Sequence, residues 1–135
     1  MSRRLGIDAN ILVRLAVADD RRQAEAVAAL MAKLGKEDAL YINISVLLET
    51  NWVLRRLYGY DRPSVLAFLQ AVLERREFDV ADYEAVGNAL HLCRMANVDF
   101  ADALLSELNR LAGCAATLTF DQKAAARVPG MELLA

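Results

Sequence analysis

The chain has 135 residues, 56% of them hydrophobic and 25% charged. This is one globular domain's worth of residues 1–135, and the composition excludes disorder, collagen-like repeats and low-complexity filler. Sixteen basic against eighteen acidic residues leave a net charge of -2, which excludes a protein that grips nucleic acid by bulk positive charge.

In chain order, Arg3 to Ile7 reads as a strand ending at Asp8, and Ile11 to Ala18 as a helix. Asp19 and Asp20 offer an N-cap for an Ala-rich helix to about Leu34, with Gly35 as its C-cap. Ala39 to Asn43 reads as a buried strand. Ser45 is expected to cap a helix whose stripe holds Val46, Leu47, Glu49, Trp52, Val53 and Leu57. Asp61 and Pro63 open the next, with Val65, Leu66, Leu69 and Val72 on one face. Phe78 to Val80 is a short extended piece. Asp82 is expected to cap a helix from Tyr83 to Met95. Asp99 caps another, with Leu104, Leu105, Leu108 and Leu111 as its stripe and Gly113 as its stop. Ala115 to Phe120 and Met131 to Leu134 are the last strands, separated by Asp121 and a short helix. The alternation predicts an α/β fold with a short, mostly parallel β-sheet sandwiched between α-helices.

Charges interrupt every apolar run before the roughly 20 residues of a membrane span. Asp8 breaks what would otherwise be an export-signal core, so a cytoplasmic location is expected. Cys93 and Cys114 lack metal-ligand spacing and are expected as reduced, buried thiols. The single histidine, His91, lies between Leu90 and Leu92 and supports neither a catalytic triad nor a zinc site. No Gly-rich phosphate loop or dinucleotide fingerprint occurs.

The informative residues are acids. Asp8 and Asp121 each end a predicted strand, where α/β sheets bind ligands, though each also suits the cap of the following helix. Glu49 falls on or beside an apolar stripe, where a carboxylate is costly unless paired, metal-bound or snorkelling. Asp99 and Asp102 open one helix at a spacing of three, as ligands or as a capping arrangement. If these carboxylates converge, their repulsion calls for a hard divalent cation. Such an ion activates water and stabilises charge on a phosphoryl oxygen.

Four segments in this order, GIDANILVR at 6–14, SVLLETNWVL at 45–54, DFADALL at 99–105 and TLTFD at 117–121, resemble the PIN-domain ribonucleases. The resemblance is closest to the VapC-type toxins of bacterial type II toxin–antitoxin pairs, and it covers essentially the whole chain. It implies a compact α/β/α sandwich and an Mg²⁺- or Mn²⁺-dependent endoribonuclease. Its catalytic acids fall on Asp8, Glu49, Asp102 and Asp121. Asp8, Asp102 and Asp121 would hold the ion, with Glu49 and Asp99 as further candidates. Asn10 and Thr119 match polar positions beside the acids, where they would orient carboxylates by hydrogen bonds.

RNA would be gripped by arginines, which make up thirteen of the sixteen basic residues, with Arg14 and Arg55 as candidates and Arg56 beside them. The family also implies a cognate antitoxin protein and a homodimer. Trp52, Leu57, Tyr58, Tyr60 and the Leu66/Phe68/Leu69 region are candidate contact surfaces, with core packing as the alternative. Two other readings stand beside the ribonuclease: a catalytically silent PIN-like module that binds RNA or protein, and a metal-dependent nuclease acting on DNA.

Overall fold

Asp8, Asp20, Asp61, Asp99 and Asp121 each open a helix, because each carboxylate accepts the backbone N–H three residues on. These caps organise the computed structural model, which describes residues 2–135. The chain forms two compact units, 2–81 and 82–135. No helix among the described residues is long and apolar enough to cross a membrane.

The first unit runs β1 (Arg4–Gly6), α1 (Ala9–Ala16), α2 (Arg21–Lys33), β2 (Ala39–Ile42), α3 (Ile44–Arg56), α4 (Arg62–Glu74) and β3 (Phe78–Val80). Its strands pair in parallel in the order β1-β2-β3, with Leu5 opposite Leu40 and Leu40 opposite Phe78. Helix α1 packs on α2 and α3, and α4 packs on α3 and β3. Leu12, Leu40, Ile42, Leu47, Leu54 and Leu69 are fully buried at the centre. Arg4, on the edge strand, pairs with Asp79 at 2.6 Å and lies over the Tyr41 ring.

The second unit runs α5 (Tyr83–Met95), α6 (Phe100–Leu111), β4 (Thr117–Thr119), α7 (Gln122–Arg127) and β5 (Met131–Leu133). Helices α5 and α6 pack together through Val86, Leu90 and Leu104, all buried. Strands β4 and β5 pair in parallel across α7, with Thr117 opposite Met131. The Ser106 hydroxyl donates to the Pro129 carbonyl at 2.7 Å, and the Asn109 amide donates to the Thr117 hydroxyl at 2.9 Å. Gly130 has φ +89, and a Cβ there would meet the Ser106 Oγ at 2.9 Å. Glycine is therefore required at this turn into β5.

The α/β class and the parallel strands are as the sequence predicts, but the strands form one sheet of three and one of two. Several local expectations are corrected. Asn43, not Ser45, caps α3, and the Ser45 hydroxyl donates to the Asn43 side chain. Leu34, not Gly35, is the C-cap of α2; the Gly35 N–H is taken by Asp38 at 2.8 Å. Asp82 precedes α5 but has φ 50, and from that backbone its side chain makes no cap. The buried face of α3 is Val46, Leu47, Thr50 and Leu54, so Trp52 and Leu57 stand outside it. On α6 the buried residues are Phe100, Ala103, Leu104 and Ser106, with Leu105 and Leu111 exposed. Cys93 is buried, whereas Cys114 is exposed.

Candidate active site

In the first unit, Asp8 leaves β1 through buried Ile7 and starts α1. Its Oδ1 accepts the Ile11 N–H at 3.4 Å, a long bond that leaves most of the exposed carboxylate open. Asn10 is exposed on the first turn of the same helix. Both line a groove of about 410 Å³ between α1 and α2, together with Arg14, Gln23, Val27 and Leu30. Arg14 is committed to its own unit. Its guanidinium pairs with Asp19 and donates to the Tyr58 hydroxyl at 2.9 Å, and that hydroxyl donates to the second oxygen of Asp19 at 2.8 Å. Only 11% of the Arg14 side chain is exposed.

Glu49 is exposed on α3, not set into its apolar stripe. The polar group inside that stripe is Thr50, fully buried, whose hydroxyl finds no hydrogen-bond partner among the described residues. Arg55 donates to the Tyr60 carbonyl at 3.1 Å. Tyr58 and Tyr60 are half-buried, and Leu66 and Leu69 belong to the core, so of the contact surfaces expected in this unit Trp52 and Leu57 remain open.

In the second unit, Asp99 caps α6 and its Oδ2 accepts the Asp102 N–H at 3.3 Å. Asp102 is half-buried on the first turn. Burial, then the negative charges of Asp99 and Asp121, raise its carboxyl above the ordinary carboxylate range. Asp121 follows β4 and caps α7 through the Ala124 N–H at 3.0 Å. The Thr119 hydroxyl accepts the Asp121 N–H at 3.0 Å, fixing the backbone from which that carboxylate projects. This unit therefore brings Asp99, Asp102 and Asp121 into one electrostatic neighbourhood, with Thr119 supporting it.

The donor chemistry suits a hard divalent cation. Asp99, Asp102 and Asp121 are oxygen donors, and the mutual repulsion felt at Asp102 is what a cation relieves. Within either unit, no three acidic, His or Cys side chains of the described residues gather tightly enough to hold an ion by themselves. Water would have to complete the ion's shell, as is usual for magnesium.

With this geometry in hand, the match to the PIN domain over residues 6–130 decides the family. The chain belongs to the PIN-domain family. PIN-domain nucleases typically depend on a metal ion. Among solved structures, this PIN chain is similar to VapC20 of Mycobacterium tuberculosis, a sarcin-ricin-loop-cleaving toxin, at 18% identity over 93% of this chain and 94% of that one, with a TM-score of 0.42. It is also similar to a chain of a toxin–antitoxin complex from Klebsiella pneumoniae, at 19% identity over 94% of each chain, with a TM-score of 0.34. No curated protein matches it.

Sequence reasoning missed the Arg14–Asp19–Tyr58 cluster, because Asp19 reads as a spare cap and Tyr58 as part of a helix stop. It also missed the buried Thr50. The four-residue spacing of Val46, Thr50 and Leu54, which keeps them on one helix face, carried that signal.

Proposed function

We propose that this PIN-domain protein is an Mg²⁺- or Mn²⁺-dependent endoribonuclease, the toxin of a toxin–antitoxin pair. The reading is carried by the PIN match over 6–130, which takes in all four acids of the family's motifs, Asp8, Glu49, Asp102 and Asp121. Residues 1–135 are taken as one PIN domain, since the match runs through both units.

On this reading Asp8, Asp102 and Asp121 would hold the ion, with Glu49 and Asp99 as further candidates. An ion held there would supply an activated water and charge neutralisation at the phosphoryl oxygens. Glu49 would either bind the ion or orient the attacking water as a general base. Thr119 holds Asp121 in place, and Asn10 orients the Asp8 carboxylate. The resemblance of the GIDAN, LLET and DFADALL segments to VapC-type toxins supports RNA as substrate, a cognate antitoxin as inhibitor and a homodimer as the working form.

The test is purified protein with end-labelled RNA and DNA, in Mg²⁺ or in EDTA, beside Asp8→Asn. RNA cleavage that stops in EDTA and in the variant supports the reading. Cleavage surviving EDTA overturns the metal role, and cleavage of DNA alone overturns the ribonuclease. RNA binding with no cleavage of either polymer points to a silent binding module.

A further inference from the structure

We infer that Trp52 is a stacking platform for a base of single-stranded RNA, with Arg56 holding the adjoining phosphate. The inference rests on the ribonuclease reading and adds the surface that seats the strand.

Ser45, Glu49, Trp52 and Arg56 follow one another at four, three and four residues along α3, so they form one line on the helix. All four are exposed. The opposite face, Val46, Leu47, Thr50 and Leu54, carries the packing. Trp52 is 55% exposed, so its indole is not consumed by the core. It stands one turn beyond Glu49, the carboxylate that the reading places in the active site. Arg56 stands one further turn along, with no ion pair or hydrogen bond among the described residues.

An aromatic plane next to a free guanidinium matches a nucleotide: the base stacks and the phosphate pairs with the arginine. Stacking tolerates any base, which suits a chain with too little net positive charge to hold RNA by charge alone. A second copy of the chain fits this line less well. A stable dimer buries about 800 Å² per partner around a centre depleted of charge. Here the one exposed aromatic lies between Glu49 and Arg56, with Arg55 alongside.

Trp52 is the chain's single tryptophan, so its fluorescence reports this site alone. The full-length protein is mixed with a 12-nucleotide single-stranded RNA in Mg²⁺, and emission is followed with excitation that spares tyrosine. We expect saturable quenching on mixing. In cleavage assays Trp52→Ala should raise KM about tenfold with kcat little changed, and Trp52→Phe should restore most of the loss. Arg56→Ala should raise KM and flatten its salt dependence. RNA that is cut without changing the emission overturns the inference and leaves the ribonuclease reading intact. Quenching without cleavage supports the platform while the ribonuclease reading fails. A spectral shift that follows protein concentration without RNA assigns the face to a second copy and overturns the inference.

Discussion

The Asp99 carboxylate accepts the backbone N–H of Asp102 at 3.3 Å, so one acid is spent on the helix start while the other is left with its side chain unbonded to that start. On the proposed reading Asp99 serves as the cap and Asp102 as the ligand. Asparagine caps a helix about as well as aspartate. Asp99→Asn should therefore keep the fold and most of the cleavage rate, whereas Asp99→Ala should cost about 1 kcal/mol of stability. Asp102→Asn should lower cleavage by 100-fold or more, without loss of melting temperature, because it removes a half-buried carboxylate repelled by Asp99 and Asp121. Parallel melting curves and single-turnover rates for the three variants check this. Equal loss of activity in Asp99→Asn and Asp102→Asn would make Asp99 a ligand as well as a cap.

Thr50 offers the clearest stability prediction. Its hydroxyl is buried with no partner among the described residues, while its shape is nearly that of valine. Thr50→Val should raise stability by about 1 kcal/mol, since an unsatisfied polar atom is exchanged for a methyl group. For a chain of this length that is a rise of roughly 3–5 °C in Tm. An unchanged or lower Tm would mean that the hydroxyl has a partner in solution.

The elements were legible because their punctuation is local. Asp20, Asp61, Asp99 and Asp121 cap helices within three residues, and Gly113 supplies the left-handed residue just past α6. The buried faces were less legible. Helices α3 and α6 carry more large apolar residues than one face can hold, so hydrophobicity alone gives two phases. Small residues settle the choice: Thr50 and Ser106 fit inside, and Trp52 and Leu105 are turned out. The caps also explain why the candidate acids could be placed at element ends yet not sorted into roles. A carboxylate at a strand exit can cap a helix or bind an ion with the same oxygens, and the backbone records the cap alone.

Arg14 illustrates that limit. As an arginine just after the first motif it reads as a phosphate contact, but its two terminal nitrogens are held by Asp19 and Tyr58. Arg14→Ala should therefore lower Tm by several degrees, because it leaves Asp19 and the Tyr58 hydroxyl without their shared donor in a part-buried setting. Its effect on the salt dependence of RNA binding should be small beside that of Arg56→Ala. A variant with normal Tm and a flattened salt slope would instead place Arg14 on the RNA.

Metal addition gives a test free of substrate. If carboxylates that repel one another gain a cation, the folded state is stabilised by RT ln(1 + [L]/Kd). At 10 mM Mg²⁺ and a Kd of about 1 mM this comes to about 1.4 kcal/mol, enough to raise Tm by several degrees. Wild type should show the rise, Asp102→Asn should show little of it, and removal of Mg²⁺ by EDTA should reverse it. Equal responses in wild type and variant would mean that the ion acts elsewhere on the surface.

Acid stability follows from carboxylates outside the candidate site. Asp38 accepts the N–H groups of Gly35 and Arg3, each at 2.8 Å, and these bonds hold its carboxyl below the ordinary range. Glu77 is held down first by the hydrogen bond from Arg75, and Glu107 by the one from Arg110, with Asn88 adding to it. In each case the folded state prefers the ionised form more than the unfolded chain does. The stabilisation is therefore fully present above the ordinary carboxylate range near pH 4, and it is lost as pH falls through the lowered folded values. Melting temperature should be flat from pH 7 to about 5 on account of these groups and fall steeply below about 4. Asp38→Asn should lower Tm at pH 7 and shrink the difference from wild type at pH 3, where the wild-type carboxylate is itself becoming protonated. A gap between the two that stays constant down to pH 3 would show that Asp38 stabilises the fold by its shape and not by its charge.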